Sequence, residues 1–206
     1  MNPSNILCWN VRGLNSRARQ DSVNTLVRAL KVDVVCIQET KIEGSAQGTL
    51  LSTLGSAFSH FVELPSVGAS GGILVAGKNF LGPAADVRVN NYSISVQFSS
   101  PLGPTWWLTC VYGPQGDDNK LLFLQELRDV RAACHGPWVL LGDFNLIARA
   151  ADKNNDNLKR AMMGRFRRLI NNLGLHDVHL HGRKFTWSNQ QDSPTLVKLD
   201  RILCST

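Results

Sequence analysis

The chain has 206 residues, a mass of 22.7 kDa, 43% hydrophobic and 18% charged residues, and a net charge of +6. That is one domain's worth of chain with the composition of an ordinary globular protein. No strictly apolar run exceeds four residues, as in Ile6–Trp9 and Val34–Ile37, which excludes a membrane span of about 20.

The start, Met1-Asn2-Pro3-Ser4-Asn5, lacks the basic flank and apolar stretch of a signal peptide. Five cysteines, an odd number without CxxC spacing, indicate neither a disulfide framework nor a zinc site. They are expected to be reduced, buried thiols of an intracellular protein. Between Arg149 and Arg168, seven basic residues stand against two acidic ones, so +5 of the net charge sits in one stretch. Such a segment favours a polyanion, nucleic acid first, or is a solvated helix face.

In chain order, Asn5–Trp9 is a short apolar run with the length of a buried strand, and Asn10-Val11-Arg12-Gly13 turns it into a loop. Val23, Leu26, Val27 and Leu30 fall at i, i+3, i+4 and i+7, the stripe of an amphipathic helix. Val32–Gln38 is a second buried strand that ends at Glu39-Thr40. Segment 46–54 is a weaker helix, and Gly71–Ala76 and Ser93–Ser99 are strands. Trp106–Tyr112 is a strand closed by Gly113-Pro114, and Leu121–Val130 is a helix stopped by Gly136-Pro137. Trp138–Leu141 is a buried strand that opens into Gly142-Asp143-Phe144-Asn145. A further helix carries Met162, Phe166, Leu169, Ile170 and Leu173, with Gly174 as its stop. Phe185–Ser188 and Val197–Leu203 are the last strands.

Two strand-helix-strand units around a strand-rich middle imply one α/β domain, residues 1–206, with two sheets packed face to face and helices outside. The polar strand ends are then expected to gather on one rim. Those ends are Asn10, Glu39, Tyr112, Asp143, Asn145 and, late in the chain, Asp200. Acids, amides and a phenol make an oxygen-rich cage suited to a hard cation such as Mg2+, which takes one or two carboxylates plus phosphate oxygens. Asp143 can orient or deprotonate a water, and Asn145 and Tyr112 can bond phosphoryl oxygens. Each also has a plainer reading. Glu39 and Asp143 can be caps, Asn10 and Asn145 Asx-turn residues, Tyr112 a packed turn aromatic, and Asp200 the partner of a neighbouring charge.

Six segments occur in order: Trp9-Asn10-Val11-Arg12-Gly13-Leu14-Asn15, Gln38-Glu39-Thr40, Ser70-Gly71-Gly72, Val111-Tyr112-Gly113-Pro114, Gly142-Asp143-Phe144-Asn145 and Leu199-Asp200-Arg201-Ile202. Together they resemble the endonuclease/exonuclease/phosphatase superfamily over roughly residues 5–206. The Asn-x-x-Gly-Leu-Asn form and Phe185-Thr186-Trp187-Ser188 are similar to the endonuclease domains of LINE-type (non-LTR) retrotransposons, plant elements especially. The resemblance implies a four-layered αββα sandwich with two mixed sheets and Mg2+- or Mn2+-dependent nicking of double-stranded DNA that leaves a 3′-hydroxyl. It implies a nuclear protein that does not act at a membrane. Glu39 would bind the metal, Asn10 and Asn145 would support metal and phosphate, and Tyr112 would touch the scissile phosphate. Asp143 would position the nucleophile, and Asp200 would orient a catalytic histidine. Arg12, Arg149, Lys153, Thr186 and Trp187 are the expected substrate contacts.

The resemblance also implies a closing Ser-Asp-His strand beyond Asp200. All five histidines, His60, His135, His176, His179 and His181, precede Asp200, and none lies in that context. The last strand is therefore expected to be missing, leaving an exposed sheet edge, a weakened fold and very weak nicking. A non-catalytic nucleic-acid-binding remnant and a phosphoinositide or sphingolipid phosphodiesterase of the same superfamily are the alternatives. The first would bind DNA without metal-dependent cutting, and the second would release headgroups from lipid.

Overall fold

Apolar side chains alternate along the central strands, so each strand feeds two cores at once. In the computed structural model, which describes residues 5–44, 47–68, 70–100 and 103–205, this alternation produces two sheets. The first contains β1 (Ile6–Asn10), β2 (Val34–Gln38), β3 (His60–Val67) and β4 (Ser70–Gly77), in the order β1-β2-β4-β3. The second contains β5 (Asp86–Val89), β6 (Ser93–Ser100), β7 (Gly103–Tyr112), β8 (Trp138–Asp143), β9 (Leu175–Asp177) and β12 (Asp200–Ser205), in the order β5-β6-β7-β8-β12-β9. A two-stranded hairpin, β10 (Trp187–Ser188) with β11 (Leu196–Val197), stands apart. Both main sheets are mixed: β1 with β2 and β7 with β8 run parallel, and the other pairs are antiparallel.

Three apolar clusters define four layers. Val35, Ile37 and Leu74 pack under α1 (Arg17–Ala29) and α2 (Gln47–Leu54) through Val23, Val27, Leu50 and Leu54. The alternate residues Val34, Cys36, Ile73 and Val75 face Ile94, Leu108, Cys110 and Leu141 of the other sheet. Trp107, Val111 and Leu140 pack under α3 (Asp117–Ala133) and α4 (Arg160–Asn172) through Phe123, Leu127, Phe166 and Leu169. The expected sandwich of two mixed sheets between helices is what forms.

The strands absent from the sequence reading, β3, β5 and β9, all lie at or beside a sheet edge, where no two-sided burial writes an apolar run. The terminal strand β3 accommodates Pro65, which a central strand would not. At the opposite edge, β1 pairs only with β2 among the described residues. The 46–54 helix is present from Gln47, while Ala46 falls outside the described residues.

The single strand expected over Val197–Leu203 is two strands. Lys198 N–H donates to Asp152 O (2.7 Å), and the N–H groups of Leu199 and Asp200 both donate to Thr186 Oγ1 (3.0 and 3.1 Å). The chain thus leaves β10 and joins β8 within two residues. The cysteine expectation also needs a correction. All five are free, but only Cys36, Cys110 and Cys134 are buried; Cys8 and Cys204 are half-buried because they lie in β1 and near the end of β12.

Arg201 is buried and ion-pairs with Asp152 and Asp177. This ties the loop after β8 and strand β9 to β12. Strand β8 depends on Gly142, whose φ is +135°, and a Cβ there would lie 2.1 Å from Val111 O. Gly142→Ala is expected to lose about 2–4 kcal/mol, a conformational and steric penalty together. Urea unfolding of the two proteins measures it; an unchanged midpoint would refute the close-contact reading.

Candidate functional site

The alternation that builds the inter-sheet core also aims the polar strand ends. Asn10 continues the parity of Ile6 and Cys8, Tyr112 that of Leu108 and Cys110, and Asp143 that of Val139 and Leu141. Asp200 shares the parity of Ile202 and stands opposite Asp143 in the β8–β12 register, while Tyr112 stands beside Asp143 in the β7–β8 register. All four side chains therefore enter the space between the sheets, at one end of it.

Contacts across that space are direct. Asn10 Nδ2 donates to Asp143 Oδ2 (3.0 Å), joining one sheet to the other. Asn10 Oδ1 accepts from Arg12 N–H (3.2 Å), so the Asx turn and the cross-sheet bond come from the same side chain. Asp143 Oδ1 accepts from Asn145 N–H (2.9 Å), and Asn145 Nδ2 donates to Gly113 O (2.6 Å). Glu39 bonds the Tyr112 hydroxyl and pairs with Lys41 Nζ (3.2 Å).

The loops that present these groups are held in sparsely populated backbone. Arg12, Glu39 and Asn145 have φ of 53°, 54° and 49°, a cost of order 1–3 kcal/mol each that surrounding contacts must sustain. Around Glu39 the loop accepts from Gly13 and Leu14 N–H (2.7 and 2.8 Å) and donates from Thr40 and Lys41 to Gly72 O and Gly71 O (3.2 Å each). Arg19 bonds the carbonyls of Val11, Arg12 and Gly13, bracing the loop after β1.

A cavity of about 670 Å3 opens over this floor, lined by Asn10, Arg12, Asp143, Thr186, Trp187 and Asp200, with Arg19 and Arg183 also on its wall. A second cavity, of about 810 Å3, flanks Tyr112 and Gly113 on the side of Gly71 and Gly72. Glu39 lines neither, lying behind Tyr112. Arg149 lines a separate cleft. Lys153 Nζ donates to Asn157 O (2.6 Å) and lines none of these three cavities. The structure thus unites Asn10, Arg12, Thr186, Trp187, Asp143 and Asp200 in one cavity. Tyr112 and Asn145 adjoin Asp143 without lining that cavity, and Glu39, Arg149 and Lys153 are not part of it. Arg19 and Arg183 escaped the sequence reading because nothing distinguishes a helix-surface arginine, or one in a polar loop, before the loops fold.

Electrostatics follow from burial and crowding. Asp143 is pushed up to about 6, first by burial and then by the Asp200 charge, while Asn145 and Asn10 pull it down. Burial also raises Asp200, against the hydrogen bond from Thr186 and the charges of Arg12 and Arg183. Tyr112 is pushed up to about 12 by burial and by Glu39, so its phenol remains a donor at neutral pH. The result is an ionisable carboxylate beside amide and phenol donors, under a cationic rim. Such a site can hold an anion over Asp143 and leave that carboxylate to accept a proton from water. Among the described residues, no three His, Cys, Asp or Glu side chains cluster to hold a metal. The remaining donors are hard oxygens, a fit to an ion that keeps much of its water and takes few carboxylates, and a poor fit to zinc.

A family model described as the Endonuclease/Exonuclease/phosphatase family matches residues 7–206. The chain belongs to that family. Solved structures share its fold at low identity. The 3′ phosphatase NExo from Neisseria, bound to a product DNA hairpin, is 21% identical with a TM-score of 0.75, covering 98% of this chain and 87% of that one. The AP endonuclease LMAP from Leishmania major is 18% identical with a TM-score of 0.76, covering 98% and 79%. The endonuclease domain of TRAS1, a telomere-specific non-LTR retrotransposon, is 16% identical with a TM-score of 0.71, covering 98% and 85%. No curated protein matches the chain. Among the described residues, no helix of this family member is long and apolar enough to cross a membrane.

The raised Asp143 carboxyl has a direct consequence for stability. The native state holds this proton more tightly than the unfolded chain, so the group's contribution is full below its ordinary value near 3.8 and is lost as pH rises through about 6. In metal-free buffer, Asp143→Asn is expected to be more stable than the parent by about 2–3 kcal/mol at pH 7, with the gap closing at pH 4. Urea unfolding at the two pH values checks it; a constant gap would refute it.

Proposed function

We propose that the chain is a Mg2+-dependent phosphodiester hydrolase of the LINE retrotransposon endonuclease type, as in plant elements, which nicks double-stranded DNA to leave a 3′-hydroxyl. The observation that carries this reading is the Asn10–Asp143 hydrogen bond between the sheets, with Asp200 opposite and a cationic rim above. The DNA hairpin on the Neisseria 3′ phosphatase and the retrotransposon origin of the TRAS1 domain support it. So do the Asn-x-x-Gly-Leu-Asn and Phe-Thr-Trp-Ser segments of this chain.

Glu39, with Asn10 at its side, would hold the ion; when bound, Mg2+ supplies positive charge to the phosphate oxygens and to the departing oxygen. Asp143 holds the attacking water and takes its proton, with Asn10 and Asn145 fixing the carboxylate's orientation. Tyr112 donates to a phosphoryl oxygen. Arg12, Thr186 and Trp187 hold the strand in the cavity, Arg12 by charge and Trp187 by stacking on a base. Target DNA would bring the protein to the nucleus.

Catalysis here is weak. No histidine is among the residues that line the cavity, so Asp200 has no imidazole to orient. Loss of one group that stabilises transition-state charge typically lowers the rate about 10²–10³-fold. Supercoiled plasmid with Mg2+ should be nicked slowly, and Glu39→Ala and Asp143→Asn should each abolish the nicking. Fast nicking that depends on Glu39 would refute the weakness. Salt-sensitive DNA binding without any metal-dependent nicking would point to a binding remnant, and headgroup release from phosphoinositide vesicles to a lipid phosphodiesterase.

A further inference from the structure

The irregular segment between β9 and β10 carries two cations that the site chemistry leaves unused. Arg183 and Lys184 are exposed, and among the described residues neither takes part in an ion pair. Arg183 lines the site cavity with Asn10, Asp143 and Asp200. The same side chain lines a neighbouring cleft of about 470 Å3, whose walls also carry Arg149, Lys184 and Lys198. One guanidinium therefore borders both spaces.

The cleft has a surplus of positive charge. Asp152 is the one carboxylate among its lining residues, and both Asp152 and the neighbouring Asp177 are engaged by the buried Arg201. Lys198 Nζ also sits on Asp177 (3.1 Å), while Arg149 reaches Asp152 and Asp177 only at 3.8 and 3.6 Å. On the wall of the cleft, Arg149, Arg183, Lys184 and Lys198 thus stand against Asp152. The exposed cations Arg165 and Arg168 of α4, within the most basic stretch of the sequence, line neither space.

A compact anion would occupy one pocket. Two adjoining pockets that share a guanidinium suit a ligand with phosphates repeated along a chain, because guanidinium and ammonium groups bond successive phosphate oxygens without regard to sequence. We propose that the cleft of Arg149, Arg183, Lys184 and Lys198 is a second phosphate track, which carries the DNA backbone onward from the site with Arg183 at the junction. This rests on the reading of the site as one that acts on DNA.

The test is equilibrium binding of the full chain to a short fluorescein-labelled DNA duplex, in EDTA so that no cutting occurs, over a series of salt concentrations. Each phosphate contact contributes about 0.9 to the slope of log affinity against log salt. For the double variant Arg183→Gln/Lys184→Gln the slope should become shallower by close to 2, with weaker binding at low salt. A second pair, Arg165→Gln/Arg168→Gln, should keep the parent slope, and circular dichroism verifies that both variants are folded. An unchanged slope in the first pair, or the loss appearing in the second, overturns the track while leaving the DNA reading intact. Absence of salt-dependent duplex binding by the parent chain overturns the DNA reading and the track with it.

Discussion

The hydrogen bond from Asn10 Nδ2 to Asp143 Oδ2 joins the two sheets at the point where their shared core ends, near a second cross-sheet bond from Gln38 Nε2 to Cys110 Sγ (2.9 Å). Deeper in the sandwich, the facing residues are Val34, Cys36, Leu108 and Leu141, and apolar burial is the main force between the layers. At the rim, water enters, and the same inward-facing positions must be filled by groups that tolerate it. Asn10, Tyr112 and Asp143 end their strands at inward positions, and Asp200 begins its own at one. The site is therefore the wet end of the inter-sheet core. These four positions inherit the rigidity of paired strands, β1, β7, β8 and β12, while Arg12, Glu39, Asn145 and Thr186 are presented by the adjoining loops.

That origin explains the site's electrostatics. Carboxylates placed where an apolar core ends lose solvent, and Asp143 rises to about 6 because burial and Asp200 together outweigh two amide hydrogen bonds. A group in that range is largely ionised at neutral pH and still basic enough to receive a proton. The cost of crowding acids is offset at the rim by Arg12 and Arg183, both of which favour the charged form of Asp200. The same arginines make the rim of the cavity attractive to an anion.

Arg201 shows how the rest of the fold serves this arrangement. It follows Asp200 on β12, points to the opposite face, and is buried against Asp152 and Asp177 over the Phe166 ring. Removing Arg201 would leave the buried Asp152 carboxylate without its main cation, typically a loss of about 3–5 kcal/mol. The network holds the loop after β8 and the start of β12 together, and so keeps Asp200 in register with Asp143. It also collects Arg149 and Lys198 on one wall, the source of the basic cleft.

Local pattern was enough to determine the central strands and the helices, and that their polar ends lie along a rim. Val34–Gln38 and Trp138–Leu141 are apolar runs because both their faces are buried, and the α4 stripe is amphipathic because one of its faces is. The ordered motifs around Asn10, Glu39, Tyr112, Asp143 and Asp200 carried the family. Only the tertiary structure decided which of these residues meet. The Asn10–Asp143 bond spans 133 positions of the chain, and no local spacing encodes a contact across two separately assembled sheets. The edge strands β3, β5 and β9 left little pattern because their exposure demands none. The sequence marked Arg149–Arg168 as one basic stretch, but folding divides it. Arg149 joins Arg183 and Lys184 at a cleft, and the α4 arginines go elsewhere, because a helix that buries Met162, Phe166 and Leu169 must turn its charges away from the core.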